Sequence, residues 1–247
     1  MITGIGFGDG VGLIRGYYGN GGSLVNTHSL EVNGFRFTNT GYSGITNAGV
    51  SMTISCWFKI PATSTGTIIL CDVPLDPGGG RARLSLTNTY IFAEFEVSSG
   101  GLKRDQVWTS PDGYRDDQWH QVVWRVDGYT YDNNDWTLFV DGVNEGSVLR
   151  NELTSATPWT VDSGATTTYG NTTSVAGAKI AQLAYFDYSL SGVTLWNGGT
   201  VFDLSALPKG PVEWYNFAEN IDNAGSSGVN GTVLAGTASY STDTPPE

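Results

Sequence analysis

Residues 116–143, DDQWHQVVWRVDGYTYDNNDWTLFVDGV, constrain the fold more than any other stretch. His120, Val122, Trp124 and Val126 share one phase of a period-two alternation, and Gln121, Val123 and Arg125 share the other. After a polar loop, Trp136, Leu138 and Val140 repeat the apolar phase. A period of two puts alternate side chains on opposite faces of a strand, so each run offers one apolar face to a core. Asp141-Gly142 follows directly. A type I′ turn needs positive φ at both central residues, and Asp-Gly adopts it readily. Two adjacent core strands are expected, with a tight turn into a third at 143–149.

Composition agrees with an all-β reading. The 247 residues can bury a large core without covalent staples. The 34 glycines and 15% charged residues suit a loop-rich β fold better than a helical one. Lys+Arg 12 against Asp+Glu 24 gives a net charge of −12. That excludes nucleic acid as an expected partner, because binding it needs clustered cations, and it disfavours anionic membranes. Cys56 and Cys71 are the two cysteines, too few for a disulfide framework. The opening MITGIGFGDG lacks the basic and apolar regions of a signal peptide, and no stretch is long enough to span a bilayer. Met1 reads as a true start, in a chain that avoids the standard secretory route or travels within an assembly.

Residues 1–24 are Gly-rich but complete no G-x-G-x-x-G register after a strand. They read as an arm, flexible or bound to a partner. Residues 29–38 and 52–60 read as strands, the second with Ile54, Cys56, Phe58 and Ile60 inward and Ser55, Trp57 and Lys59 outward. A strand at 67–72 would put Cys71 opposite Cys56, a poor disulfide geometry, so two buried free thiols are expected. A turn at Asn88-Thr89 would pair Leu86 with Ile91, Leu84 with Ala93, Arg83 with Glu94 and Arg81 with Glu96. Short strands are expected at 158–162 and 166–169. Residues 177–189 have helix-forming residues but strand-like flanks and are read as a strand. One helical turn at 193–197 would end at Gly198-Gly199. Residues 212–217 and 232–235 look like two last strands, and 242–247 like a frayed end.

These pieces resemble a known family. Asp117-Gln118-Trp119-His120, the run 122–127, Leu138-Phe139-Val140-Asp141-Gly142, the strand 52–60 and the segment 177–191 are similar to the laminin-G-like and pentraxin-like branch of the concanavalin A-like lectin/glucanase superfamily. The resemblance spans about 28–191 and implies an antiparallel two-sheet β-sandwich, a jelly roll. Val212–Phe217 in sequence, VEWYNF, then Asp222-Asn223 and 225–232 resemble the segment that usually opens such a domain. The chain therefore reads as circularly permuted: an arm 1–24, a single jelly roll 25–241 whose residues 208–240 supply the strands that usually come first, and a tail 242–247. This order, with Asn197-Gly198-Gly199 and Asp203-Leu204-Ser205, resembles structural proteins of marine tailed phages.

Four chemistries are conceivable on such a scaffold. Glucanases of the superfamily use alternate carboxylates on one strand; here Glu94 and Glu96 are two acids opposite Arg83 and Arg81, a poor basis for a general acid. His28 and His120 are the only histidines, and His120, on an apolar strand face, reads as a hydrogen-bonded core residue. Calcium is the candidate metal, with Asp127, Asp132, Asn133, Asn134 and Asp135 in one hairpin loop, although Asn and Asp also stabilise turns unaided. Sugar binding would need exposed rings, for which Trp108, Tyr114, Tyr129, Tyr131 and Trp159 are candidates. The same rings could instead pack an edge or a protein interface.

The expectation is a non-enzymatic virion protein of a phage, a capsid decoration or tail-fibre component assembled in the host cytoplasm. Its partners would be other virion proteins, copies of itself or host glycans. The alternatives are an extracellular carbohydrate-binding or adhesion module and a divergent glycoside hydrolase.

Overall fold

The computed structural model describes residues 27–40, 51–76, 80–87, 90–97, 103–109, 113–129, 134–145, 147–151, 160–161, 166–170 and 174–247. In chain order the strands are β1 (Ser29–Asn33), β2 (Arg36–Thr40), β3 (Met52–Lys59), β4 (Ile68–Asp76), β5 (Gly80–Leu86), β6 (Ile91–Val97), β7 (Lys103–Thr109), β8 (Trp119–Tyr129), β9 (Asn134–Val140), β10 (Val143–Asn144), β11 (Ser147–Asn151), β12 (Thr160–Val161), β13 (Thr166–Gly170) and β14 (Ser174–Phe186). A short helix α1 (Gly192–Trp196) follows, then β15 (Glu213–Tyr215), β16 (Thr232–Ala235) and β17 (Ser239–Ser241).

They form two antiparallel sheets. The first runs β10-β9-β8-β3-β14-β1-β17, with β15 also beside β14. The second runs β11-β7-β6-β5-β4-β13-β2-β16, with β12 beside β4. Both hairpins expected from the sequence form, and β5–β6 does so in the expected register. In β8–β9, Val122 faces Val140 and Trp124 faces Leu138. In β5–β6, Leu86 faces Ile91, Leu84 faces Ala93, Arg83 faces Glu94 and Arg81 faces Glu96. Asp141 and Gly142 have φ of 50° and 75°, as the tight turn into β10 requires.

Two expected strands are each split between the sheets. The run 29–38 breaks at Gly34, whose φ of 68° suits glycine and lets β1 join one sheet and β2 the other. The run 143–149 breaks likewise: β10 pairs with β9, while β11 crosses over to pair with β7. Cys56 and Cys71 are buried free thiols, but β3 and β4 lie in different sheets, so they face each other across the core and not along a ladder.

The main core fills the space between the sheets, with Leu30, Phe37, Ile54, Phe58, Leu84, Val122, Trp124 and Ile180 among its buried side chains. A second apolar cluster covers the outer face of the first sheet: Val123, Phe139, Ala184, Phe186, Leu195, Leu204 and Trp214. Trp57 points outward, as its phase implies, yet it is fully buried there, stacked on Trp196 of α1. Gln121, on the polar phase of β8, is buried under the same helix, donating from Nε2 to the Leu195 carbonyl at 3.1 Å.

The C-terminal residues complete both sheets. β14 gives one long edge to β3 and shares the other between β1 and β15. β16 pairs with β2, and β17 pairs with β1. The expected fraying of 242–247 does not occur: Pro245 is buried, and the Val201 amide donates to the Pro246 carbonyl at 2.8 Å.

Candidate functional site

Strand register gathers several connections at one end of the sandwich. Lys59 pairs with Trp119, Ile68 with Leu86, Leu86 with Ile91, Ile91 with Thr109, and Val122 with Val140. The loops at 60–67 and 113–118, the turn at 141–142 and residues Thr87 and Tyr90 between β5 and β6 therefore form a common rim. Arg115 ties three of them together. Its guanidinium donates to the carbonyls of Ser64 at 3.0 Å, Gly66 at 3.3 Å and Thr87 at 2.7 Å. The Asp117 amide adds a bond to the Ile60 carbonyl at 3.2 Å.

His120 closes the rim on its other side. Its Nδ1 lies 2.7 Å from an Asp141 oxygen and its Nε2 lies 3.1 Å from Asp116. The second Asp141 oxygen accepts the Gln121 amide at 2.9 Å. The Tyr114 ring stands edge-on to the imidazole at 5.2 Å. Burial first, and the nearby Glu145 and Asp141 carboxylates next, push the Tyr114 hydroxyl up to about 12. This histidine, expected in the core, sits where the core meets the rim, its side chain 12% exposed.

Beside it, Asp243 from the C-terminal tail collects four strands. It accepts from Trp119 Nε1 at 3.0 Å and Lys179 Nζ at 2.7 Å, and lies 3.0 Å from Lys59 Nζ. Its carbonyl accepts the Ser29 hydroxyl at 2.7 Å. Despite some burial, the three donors hold its carboxyl down at about 2.

The candidate residues divide between the two ends. Tyr114 is half-buried at the rim just described, and Trp108 lies in β7 near the same end. Tyr129 ends β8, whose 11 residues span about 35 Å, so Tyr114 and Tyr129 cannot serve one platform. Tyr131, Trp159, Asp132 and Asn133 lie outside the described residues, as do the side chains of Trp108, Tyr129, Asn134 and Asp135. Asp127 is at the far end, accepting from the Ser51 hydroxyl at 3.1 Å and lying 3.6 Å from Arg125. Among the described residues, no group of three or more His, Cys, Asp or Glu could hold a metal ion.

Glu94 is buried, with Arg83 at 3.9 Å; Arg83 makes its shorter pair with Asp72, at 2.6 Å. The Glu96 side chain lies outside the described residues.

Sequence reasoning missed a polar cluster inside the sandwich. Glu213 is buried and accepts from Asn39 Nδ2 at 3.0 Å and from the Tyr169 hydroxyl, with the Tyr215 hydroxyl 3.4 Å away. Burial outweighs these donors and lifts the carboxyl to about 7. The space beside it, lined by Ile54, Cys71, Leu183 and Tyr185, is too tight for water. Its only signal in the sequence was Glu213 in phase with Tyr215 on one face of a short aromatic strand.

Residues 33–198 match the laminin-G-like family model described as the concanavalin A-like lectin/glucanases superfamily. The chain belongs to this superfamily. No curated protein matches it. Among solved structures, the receptor binding domain of botulinum neurotoxin D is 13% identical with a TM-score of 0.49, over 72% of this chain and 46% of that one. The chain thus spans less than half the length of that domain. The native heptameric SAP-like pentraxin from Limulus polyphemus is 9% identical with a TM-score of 0.46, over 87% of this chain and 94% of that one. The binding domain of Paraclostridial Mosquitocidal Protein 1 is 15% identical with a TM-score of 0.42, over 69% and 47%.

Proposed function

We propose that this chain is a non-enzymatic recognition module of a phage virion, in a capsid decoration or a tail fibre, that contacts virion proteins or host glycans through the rim around Tyr114, Asp116 and Asp117. The observation that carries the recognition role is the Arg115 tie: one guanidinium fixes three loops of one rim and so presents their side chains from a rigid base. Asp116 and Asp117, with side chains 41% and 65% exposed, can accept hydrogen bonds from hydroxyl or amide donors beside a half-exposed ring.

The non-enzymatic reading has two supports. Glu94 is buried beside a guanidinium, and His120 has a side chain only 12% exposed, with Nδ1 2.7 Å from Asp141 and Nε2 3.1 Å from Asp116. The phage assignment rests on the sequence resemblance of 197–217. We read 208–240 as the superfamily's opening strands placed last, because β15, β16 and β17 lie beside β14, β2 and β1.

A glycan array probed with the full chain, with and without a chelator, tests the sugar arm. Micromolar binding lost in Tyr114→Ala supports the rim. Binding unchanged in that variant overturns it. Turnover of β-glucans, lost in Glu94→Gln, would overturn the non-enzymatic reading. Imaging of purified virions from a phage that encodes the chain tests the virion assignment, which fails if the chain is absent from them.

A further inference from the structure

His120 sits between two segments that no strand pairing joins. Asp116 belongs to the loop that carries the chain from β7 in one sheet to β8 in the other, and Asp141 opens the β9–β10 turn. An ionised carboxylate only accepts hydrogen bonds, and a neutral imidazole donates from only one nitrogen. The contacts at 2.7 Å and 3.1 Å are therefore both hydrogen bonds only when the ring carries two protons. We propose that the His120 imidazolium is a pH-dependent fastener between the 113–118 loop and the β9–β10 turn, and that its deprotonation frees Asp116 and loosens the loop.

Geometry decides which partner is lost. Asp141 is the nearer, is 25% exposed, and is fixed to β8 by two bonds with the Gln121 backbone, each 2.9 Å. Asp116 is 41% exposed, and its other described bond, from the Gln118 amide at 2.8 Å, stays within its own loop. Water competes better for Asp116, so the single proton of a neutral ring stays with Asp141.

The described titratable groups around the ring come from each side. Asp116 and Tyr114 belong to the loop, Asp141 to the turn, and Glu145, bonded to Tyr114, to the segment after β10. From β3, Phe58 packs at 5.7 Å without charge, and Lys59 lies 3.8 Å from Asp117. Burial pulls the ring pKa down, but the two aspartates outweigh it and hold it above 6.5. The raised value fixes the sign: fastening is complete below 6.5 and is lost as pH rises through the folded pKa. Arg115 keeps its three carbonyls throughout, so the loop loosens around Asp116 without detaching. The proposal concerns the loop itself and is independent of what the rim contacts.

The test is an NMR titration of the His120 side chain in the full chain, with amide exchange of residues 114–118 over the same pH series. The ring is expected to titrate above 6.5. Loop exchange, corrected for its intrinsic pH dependence, should accelerate by roughly tenfold through the same midpoint, the effect of one hydrogen bond to a charged group. In Asp116→Ala, with the spectrum elsewhere unchanged, exchange should be fast at every pH and the step should vanish. Loop exchange that is flat through the titration, or a step that persists in Asp116→Ala, would overturn the fastener.

Discussion

The indole of Trp57 lies on that of Trp196, with ring centroids 5.3 Å apart and planes 25° apart. A residue on the polar phase of β3 is thereby sealed under α1. Removing the cover should leave Trp57 facing water with a void beside it. Trp196→Ala is expected to lower stability by about 3 kcal/mol, near the lower end for large aromatic truncations because Trp196 is itself partly exposed. Urea unfolding followed by tryptophan fluorescence measures the loss. A change below about 0.5 kcal/mol would mean that α1 does not seal this face.

Glu213 sets a pH dependence inside the core. Its folded pKa, about 7, lies above its ordinary value of 4.5, so the folded state binds the extra proton. Stability should be full below 4.5 and fall by a few kcal/mol as pH rises through about 7. Glu213→Gln should flatten that slope. Unfolding free energies at a pH series from 4 to 8, in both chains, give the comparison.

Asp243 acts in the opposite direction. Its carboxyl, held at about 2, contributes stability present above 3.8 and lost as pH falls through about 2. Because its side chain is 35% exposed, solvent screening limits the effect, and Asp243→Ala should cost about 1 kcal/mol. A thermal melt at neutral pH should show a lowered Tm.

The thiols give a probe of global opening. Burial pushes both Cys56 and Cys71 far above their ordinary value of 9.0. Neither should react with an aromatic disulfide reagent in the folded chain, and both should react together on unfolding. Fast labelling of one alone would show local opening of the core.

The sheets were legible where apolar alternation coincided with turn chemistry, as at β8–β9 with Asp141-Gly142 and at β5–β6 with its opposed charges. Alternation does not say which sheet a strand joins. The breaks at Gly34 and after Asn144 were therefore unreadable, because each half keeps a strand pattern while the chain changes layer. Trp57 misled for a related reason: its phase gave the face correctly, but a helix more than a hundred residues later covers that face. At the rim, Tyr114 and His120 were visible as residue types. Arg115, Asp243 and Lys179 were not, since each finds its partners only through long-range pairing and carries no local pattern.

The most direct measurement is urea unfolding of a chain ending at Leu207, which lacks β15, β16, β17 and Asp243. Because those residues complete both sheets and one end of the rim, the shortened chain should show no cooperative transition, and added peptide 208–247 should restore it. A cooperative transition with an unchanged midpoint would contradict a sandwich that the C-terminal residues close.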